Sequence, residues 1–189
     1  IIVSFLGLLL MSPILLVFMY LVYRQDKHSP FYMATRVGKN GTIFRMVKLR
    51  SMSVNADKNG VDSTSLNDAR ISAIGHKIRK YKLDEFTQFW NVFLGDMSLV
   101  GPRPNVKRET DLYSSVENGL LTVRPGITDL SSIVFSDEGD ILEGKSDPDL
   151  AYNQLIRPWK SRLGLVYIDN RSLWLDIELI FYTVIAIVS

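Results

Sequence analysis

KLDEFTQFWNVFLGDMSLVGPRP, residues 82–104, sets two adjacent acids, Asp84 and Glu85, ahead of an aromatic run and closes on Arg103 between two prolines. Phe86, Phe89, Trp90 and Phe93 recur at i, i+3, i+4 and i+7, one face of an α-helix, and Gly95 is placed to end it. The stretch predicts a helix over 86–94 with Asp84 at its N-cap. A capping aspartate accepts hydrogen bonds from first-turn amides, and that structural role competes with a chemical one. A helix N-terminus also attracts phosphate, and an acid beside it can hold a divalent metal that offsets repulsion between phosphate and a carboxylate nucleophile. Neighbouring helical residues diverge by ~100°, so the two acids cannot face each other as a dyad and need separate tasks. The aromatic stripe reads either as ordinary core or as a helix bedded in a membrane interface. In Gly101–Pro104 each proline fixes its own φ and restricts its predecessor, giving Arg103 a stiff support suited to clamping phosphate. A merely solvated arginine in a Pro-rich turn is the plainer alternative.

Towards the N-terminus, residues 1–23 carry no charge. A run of ~20 apolar residues is what a helix needs to cross a bilayer, and it exceeds the ~7–15 apolar residues of a signal peptide. Ser12-Pro13 interrupts it, since proline removes a backbone donor and clashes with the preceding turn. Two readings are open: a Pro-kinked spanning helix, or a helix-break-helix that enters and leaves by one leaflet. Arg24 and Lys27 place the end of the run in the cytoplasm in either case.

Charge is divided along the chain. Between Arg24 and Lys82 thirteen Lys/Arg face four Asp/Glu, a net +9, which leaves residues 83–189 at −7. A basic segment after a membrane anchor suits anionic headgroups or phosphate-bearing substrates. Nucleic acid ranks last as a partner, because no nucleic-acid-binding motif accompanies the charge. With no cysteine and only His28 and His76 as histidines, disulfides and thiolate metal sites are excluded, and a His-rich zinc site or a Ser-His-Asp triad is disfavoured.

Residues 31–37 and 42–50 are β-prone runs flanking Gly38-Lys39-Asn40-Gly41, which predicts a short hairpin. Residues 51–67 are polar and read as a flexible loop. Ile71, Ile74, Ile78 and Tyr81 then define an amphipathic helix, with Asn67 or Asp68 as its cap and Lys77, Arg79 and Lys80 off the apolar stripe. Near the C-terminus, 172–188 is apolar except for Asp176 and Glu178, and its ~10-residue uncharged part is too short to span a bilayer. An interfacial or core helix is expected there.

Several of these elements, in this order, resemble the bacterial sugar transferase family, the monotopic phosphoglycosyl transferases that load a sugar phosphate onto a polyprenyl phosphate. The resemblance is carried by SPFYMATRVGKNGTIFRMVKLRSM (29–52), IRKYKLDEFTQFWNVFLGDMSLVGPRP (78–104), VRPGIT (123–128) and YIDNRSLWLDIELIFYT (167–183), with Ser12-Pro13 matching the family's broken membrane helix. It implies that Asp84 attacks the sugar-linked phosphate of a UDP-sugar, releasing UMP, and that polyprenyl (undecaprenyl) phosphate takes the phosphosugar in a second step. Glu85 matches the acid that helps hold Mg²⁺. Arg79, Arg103 and Arg124 match basic positions around the phosphates, and Lys48 and Arg50, which end the second strand, are grouped with them. Ala34, Asp129-Leu130 and Gly164 depart from the residues frequent in the family. Residues 129–162 look individual, and a solvated acidic loop is preferred there over a wall of the sugar or nucleotide pocket.

The expected protein is α+β, mainly helical with a small β-hairpin. Its parts are a re-entrant, Pro-broken membrane helix over 1–23 and a catalytic domain over 24–189, with interfacial helices at 86–94 and 172–188. It would sit on the cytoplasmic face of a bacterial inner membrane and touch membrane lipids, as a monomer or a homodimer. A catalytically silent membrane scaffold of the same fold and a basic lipid-binding module are the rival readings.

Overall fold

The computed structural model describes residues 1–56, 68–136 and 138–188. Helix α1 (Ile2–Asp26) is long and apolar enough to cross a membrane and runs uninterrupted through Pro13. Proline has no amide to give the carbonyl of Leu9, four residues back. The Ser12 hydroxyl donates to that carbonyl instead, at 2.7 Å. The break expected at Ser12-Pro13 is thus not seen: the helix continues through both residues. Helix α1 stops where Lys27 turns left-handed (φ 60°) and its amide closes on the Tyr23 carbonyl.

Strands β1 (Phe31–Val37) and β2 (Ile43–Leu49) pair antiparallel from Phe31↔Leu49 to Val37↔Ile43, as the sequence predicts. The short turn between them places Asn40 and Gly41 at positive φ. Alternation sends Ala34, Phe44 and Met46 inward, where they meet Val92 and Met97.

Helix α2 (Ala73–Lys80) starts later than expected. Ser72, not Asn67 or Asp68, is its cap and accepts from the Gly75 amide, while Asp68 is held by Arg70 and Ile71 pairs with Met52 in an isolated bridge. Most of the predicted loop 51–67 lies outside the described residues.

The helix predicted over 86–94 is two short pieces, α3 (Leu83–Phe86) and α4 (Phe89–Leu94), joined by Thr87 and Gln88 in helical conformation. Lys82, left-handed at φ 51°, occupies the cap position, so Asp84 falls inside the first turn and is not the N-cap. Gly95 ends α4 at φ 89°, as expected. Both pieces are fastened to β2: Thr87 Oγ1 donates to the Val47 carbonyl at 3.0 Å. Asn91 accepts from the Val47 amide at 2.9 Å and donates to the Arg45 carbonyl at 2.8 Å.

Strand β3 (Ser98–Val100), helix α5 (Lys107–Thr110) and strand β4 (Gly126–Thr128) come next, with β3 and β4 parallel. Gly101 and Gly126 touch there, and a Cβ on Gly126 would stand 2.1 Å from the Gly101 nitrogen. The segment expected to be a solvated acidic loop is instead folded. It holds α6 (Leu130–Val134), α7 (Glu138–Ile141) and α8 (Pro148–Ala151) and buries Leu142, Ala151 and Ile156. A widened π turn, Tyr152–Ile156, leads into α9 (Arg157–Asn170), and α10 (Leu173–Val188) closes the order. Helix α10 buries Leu179 on β3 and leaves Leu173, Trp174, Ile177 and Phe181 exposed.

Helix α1 lies against the rest of the chain over nearly its whole length. Phe5 meets Phe93, and Gly7 faces the Phe89 ring. Met11, Phe18 and Met19 pack on Val22, Leu49, Ile78 and Leu83, and Asp26 pairs with Arg50.

Candidate active site

The left-handed Lys82 turns the chain sharply out of α2, so α3 presents its first-turn acids to the end of β2 and to the Gly101–Pro104 segment. Asp84 Oδ2 lies 3.7 Å from Lys48 Nζ. Glu85 Oε1 accepts from Arg103 at 2.8 Å, and Arg103 also donates to the Ile127 carbonyl at 2.6 Å. Two carboxylates and two cations therefore alternate in one partly buried cluster, contributed by β2, α3 and the prolyl segment.

Burial and neighbouring charge compete in this cluster. Burial pushes the Lys48 ammonium below the ordinary lysine range, against the pull of Asp84. Burial alone would raise the Glu85 carboxyl, but Arg103 and Lys48 outweigh it and hold it low and ionised. The Glu85 charge in turn raises Arg103 further, despite burial. Arg79, from α2, donates to Ser51 Oγ at 3.0 Å and lies within the field of Asp84.

Lys48 and Arg103 also line a cleft of about 150 Å³, together with Arg36, Asp129, Arg157 and Lys160. Asp129 is buried and bound by the Ser131 and Ser132 hydroxyls. Lys160 pairs with Glu138 and lies over the Tyr152 ring. The fully buried Gln88 amide has no hydrogen-bond partner among the described residues.

Two of the expected site residues stand elsewhere. Arg50 gives both terminal nitrogens to Asp26 and its Nε to the Ser29 carbonyl, which makes it a tie between β2 and α1. Arg124 lines a separate cavity of about 410 Å³ with Lys39 and Arg171, which includes neither Asp84 nor its partners. Arg36, Arg157 and Lys160 were not singled out in the sequence. Arg36 looks like one more exposed strand residue, and the other two belong to the segment read as a loop.

Magnesium is usually held by one or two carboxylates, with water and substrate phosphates completing the octahedron. Among the described residues no group of three His, Cys, Asp or Glu side chains converges. The donor set at α3 suits that sparse pattern: Glu85 is fixed through Oε1 by Arg103, which leaves Oε2 for an ion, with Asp84 next in the chain.

Beyond the geometry, the profile of the bacterial sugar transferase family matches residues 1–189. The chain belongs to the bacterial sugar transferase family. Among similar family members is the UDP-glucose:undecaprenyl-phosphate glucose-1-phosphate transferase of Klebsiella pneumoniae, 38% identical over 188 residues, covering 97% of this chain and 38% of that protein. The undecaprenyl-phosphate galactose phosphotransferase of Salmonella typhimurium is 33% identical, with 97% and 38% covered. The exopolysaccharide production protein ExoY of Sinorhizobium fredii is 32% identical, with 99% and 82% covered. The chain thus spans about four-tenths of the longer sugar transferases it matches and most of the shorter one.

Proposed function

We propose that this chain transfers a sugar-1-phosphate from a UDP-sugar to a polyprenyl phosphate, through a phosphosugar held covalently on Asp84, as the first step of a surface glycan. The observation that carries the reading is the Asp84 carboxylate beside Lys48 and next to the Glu85–Arg103 pair, with Lys48 and Arg103 also lining the neighbouring cleft, in a member of this family. Relatives named for UDP-sugars and undecaprenyl phosphate support the two substrates.

In the first half-reaction an Asp84 oxygen bonds to the phosphorus that carries the sugar, and the P–O bond to UMP breaks. In the second, a phosphate oxygen of the polyprenyl phosphate displaces Asp84 and regenerates the free carboxylate. Neither step needs a proton to balance, and the split predicts ping-pong kinetics. Lys48 and Arg103 lower the repulsion between an anionic nucleophile and an anionic donor. Glu85, steadied by Arg103, would hold Mg²⁺, which when bound screens phosphate charge; Arg79 adds positive field from α2.

The seat of the reaction is a membrane surface on the cytoplasmic side, reached without crossing. From Phe5 to Val22 a helix advances ~25 Å, and along that length α1 stays packed on α2, α3 and α4. A helix aligned with the membrane normal would drag those elements, and the charged cluster beside them, towards the bilayer centre. An α1 confined to one leaflet avoids this, and the exposed apolar side chains of α10 give a second contact with lipid.

The test is intact-protein mass spectrometry after incubation with Mg²⁺ and a panel of UDP-sugars, without acceptor lipid. The wild type is expected to gain one sugar phosphate and Asp84→Asn none. No gain with any donor, and no UMP release once polyprenyl phosphate is added, would favour the silent scaffold.

A further inference from the structure

We infer that Arg36 and Arg157 form the subsite for the leaving nucleotide's phosphate, distinct from the Lys48–Arg103 pair that attends the phosphate being transferred. The inference rests on the transferase reading of the cleft and divides its cations by the carboxylates they meet.

The cleft is lined by five cationic side chains, Arg36, Lys48, Arg103, Arg157 and Lys160. Three are matched: Lys48 by Asp84, Arg103 by Glu85 and Lys160 by Glu138. Arg36 and Arg157 form no ion pair among the described residues. Among the described residues the Arg36 side chain hydrogen-bonds only the neighbouring Thr35 carbonyl, at 2.9 Å. The buried Nε of Arg157 has no hydrogen-bond partner among them. Glu109 acts on both and Glu117 on Arg157, each from beyond ion-pair distance, and Asp129 on the cleft wall is bound by serine hydroxyls. A guanidinium held partly out of water without a countercharge is costly unless an anion completes it, and its planar fork fits phosphate.

Local structure aims Arg157 at this place. The π turn Tyr152–Ile156 ends immediately before it, and one extra residue in a turn rotates the downstream side chains by ~100° around the helix. Pro158 comes next, at the junction of the π turn and α9, where its missing amide interrupts the regular hydrogen-bond ladder. On the opposite wall, Arg36 is fixed by β1, whose neighbour Val37 donates its amide to the Asn105 carbonyl.

The order of the two subsites is dictated by the chemistry. The transferred phosphorus must come within bonding reach of Asp84, next to Lys48 and Glu85–Arg103. The other phosphate of the donor stays with the nucleotide and takes up negative charge as the anhydride bond breaks. The two cations that form no ion pair among the described residues are then where that charge accumulates, and preorganised donors there stabilise the departing UMP.

Direct binding of UMP separates this role from a merely structural one, because it needs no chemistry and is read beside the fold's own stability. UMP binding is measured by equilibrium dialysis on wild type, Arg157→Ala, Arg157→Lys and Arg36→Ala, with thermal melts as the folding control. The phosphosugar adduct, formed at high UDP-sugar and freed of nucleotide, is then discharged with either UMP or polyprenyl phosphate. The alanine variants are expected to bind UMP roughly 10–100-fold more weakly and to slow formation and UMP-driven discharge of the adduct to a similar degree. Discharge to polyprenyl phosphate is slowed as well, because an acceptor attacking in line opposite Asp84 brings its phosphate to the place UMP left, and Arg157→Lys falls between. Unchanged UMP affinity in both alanine variants overturns the assignment. Absence of any adduct in the wild type overturns the covalent reading itself, and UMP dialysis still judges the subsite.

Discussion

Arg50 closes on Asp26 with both terminal nitrogens, at 2.5 and 2.7 Å, and so ties the end of the hairpin to the last turn of α1. The arginine is buried and the aspartate only partly so. Its guanidinium holds the Asp26 carboxyl well below the usual carboxylate range. Arg50→Ala is expected to cost roughly 2–3 kcal/mol, and Arg50→Lys to recover only part, since a point charge cannot reproduce the fork. Because the folded carboxyl is depressed, the pair's contribution is full above the ordinary pKa of ~4 and fades as pH falls below it. Melting curves of wild type and Arg50→Ala in detergent should therefore converge as the pH is taken below ~4, and parallel curves down to strong acid would contradict the tie.

The Lys48 ammonium, lowered by burial, makes a different pH prediction. In the proposed transfer it would offset charge on the reacting phosphate only while protonated, so adduct formation should fall on the alkaline side before an ordinary lysine would deprotonate. Lys48→Arg removes that limb, because arginine stays charged. Lys48→Met slows adduct formation by about 10²-fold or more at neutral pH. A pH–rate profile of the first half-reaction that is unchanged in Lys48→Arg would separate Lys48 from the alkaline limb.

Glu85 and Arg103 form a partly buried ion pair at 2.8 Å. Arg103→Ala leaves the Glu85 carboxylate with only the field of Lys48 and is expected to destabilise by roughly 2–3 kcal/mol. Adding Glu85→Gln to that variant returns part of the loss, although both single changes abolish transfer. Chemical denaturation of the four proteins in a double-mutant cycle checks it, and additive losses would show that the contact carries little energy.

How much of this was legible in advance depended on the range of the interactions. The hairpin is set by two β-prone runs around a Gly-Lys-Asn-Gly turn, and the end of α4 by Gly95, because these are contests within a few residues. Asp84 as a cap failed for a local reason of another kind: Lys82 adopts a left-handed turn, takes the cap position and moves Asp84 into the first turn. Arg50 was grouped with the phosphate binders because it ends the strand that carries Lys48. Its true partner lies 24 residues upstream, at the end of a helix whose sequence shows only that it is apolar. Arg157 and Lys160 were hidden by short helices whose stability comes from burying Leu142 and Ile156 rather than from any periodic stripe.

Two glycines are fixed by contact rather than by dihedral angle. A Cβ at Gly75 would stand 1.8 Å from the Ser51 carbonyl oxygen, and one at Gly126 would stand 2.1 Å from the Gly101 nitrogen. In each case the obstacle is backbone, which cannot rotate away. Gly75→Ala and Gly126→Ala should each lose roughly 3 kcal/mol or more, as overpacked sites do. Gly144→Ala, with open space but φ 71°, should lose only ~1 kcal/mol. Thermal melts of the three variants rank them directly.

Ser12 and Pro13 yield the prediction with the cleanest internal control. Proline leaves the Leu9 carbonyl without its helical donor, and the Ser12 hydroxyl supplies one at 2.7 Å. In an apolar environment no water takes its place, so Ser12→Ala should destabilise α1 by about 1 kcal/mol. Pro13→Ala restores a backbone amide to that carbonyl, after which the hydroxyl has nothing left to satisfy. Ser12→Ala in the Pro13→Ala background should then be close to neutral, and the difference between the two Ser12→Ala effects is the energy of the substituted bond. Hydrogen exchange in the first half of α1, measured in nanodiscs, should rise for Ser12→Ala alone and return towards wild type in the double variant. An equal effect of Ser12→Ala in both backgrounds would mean that the serine acts through packing and that the Leu9 carbonyl is satisfied by another group.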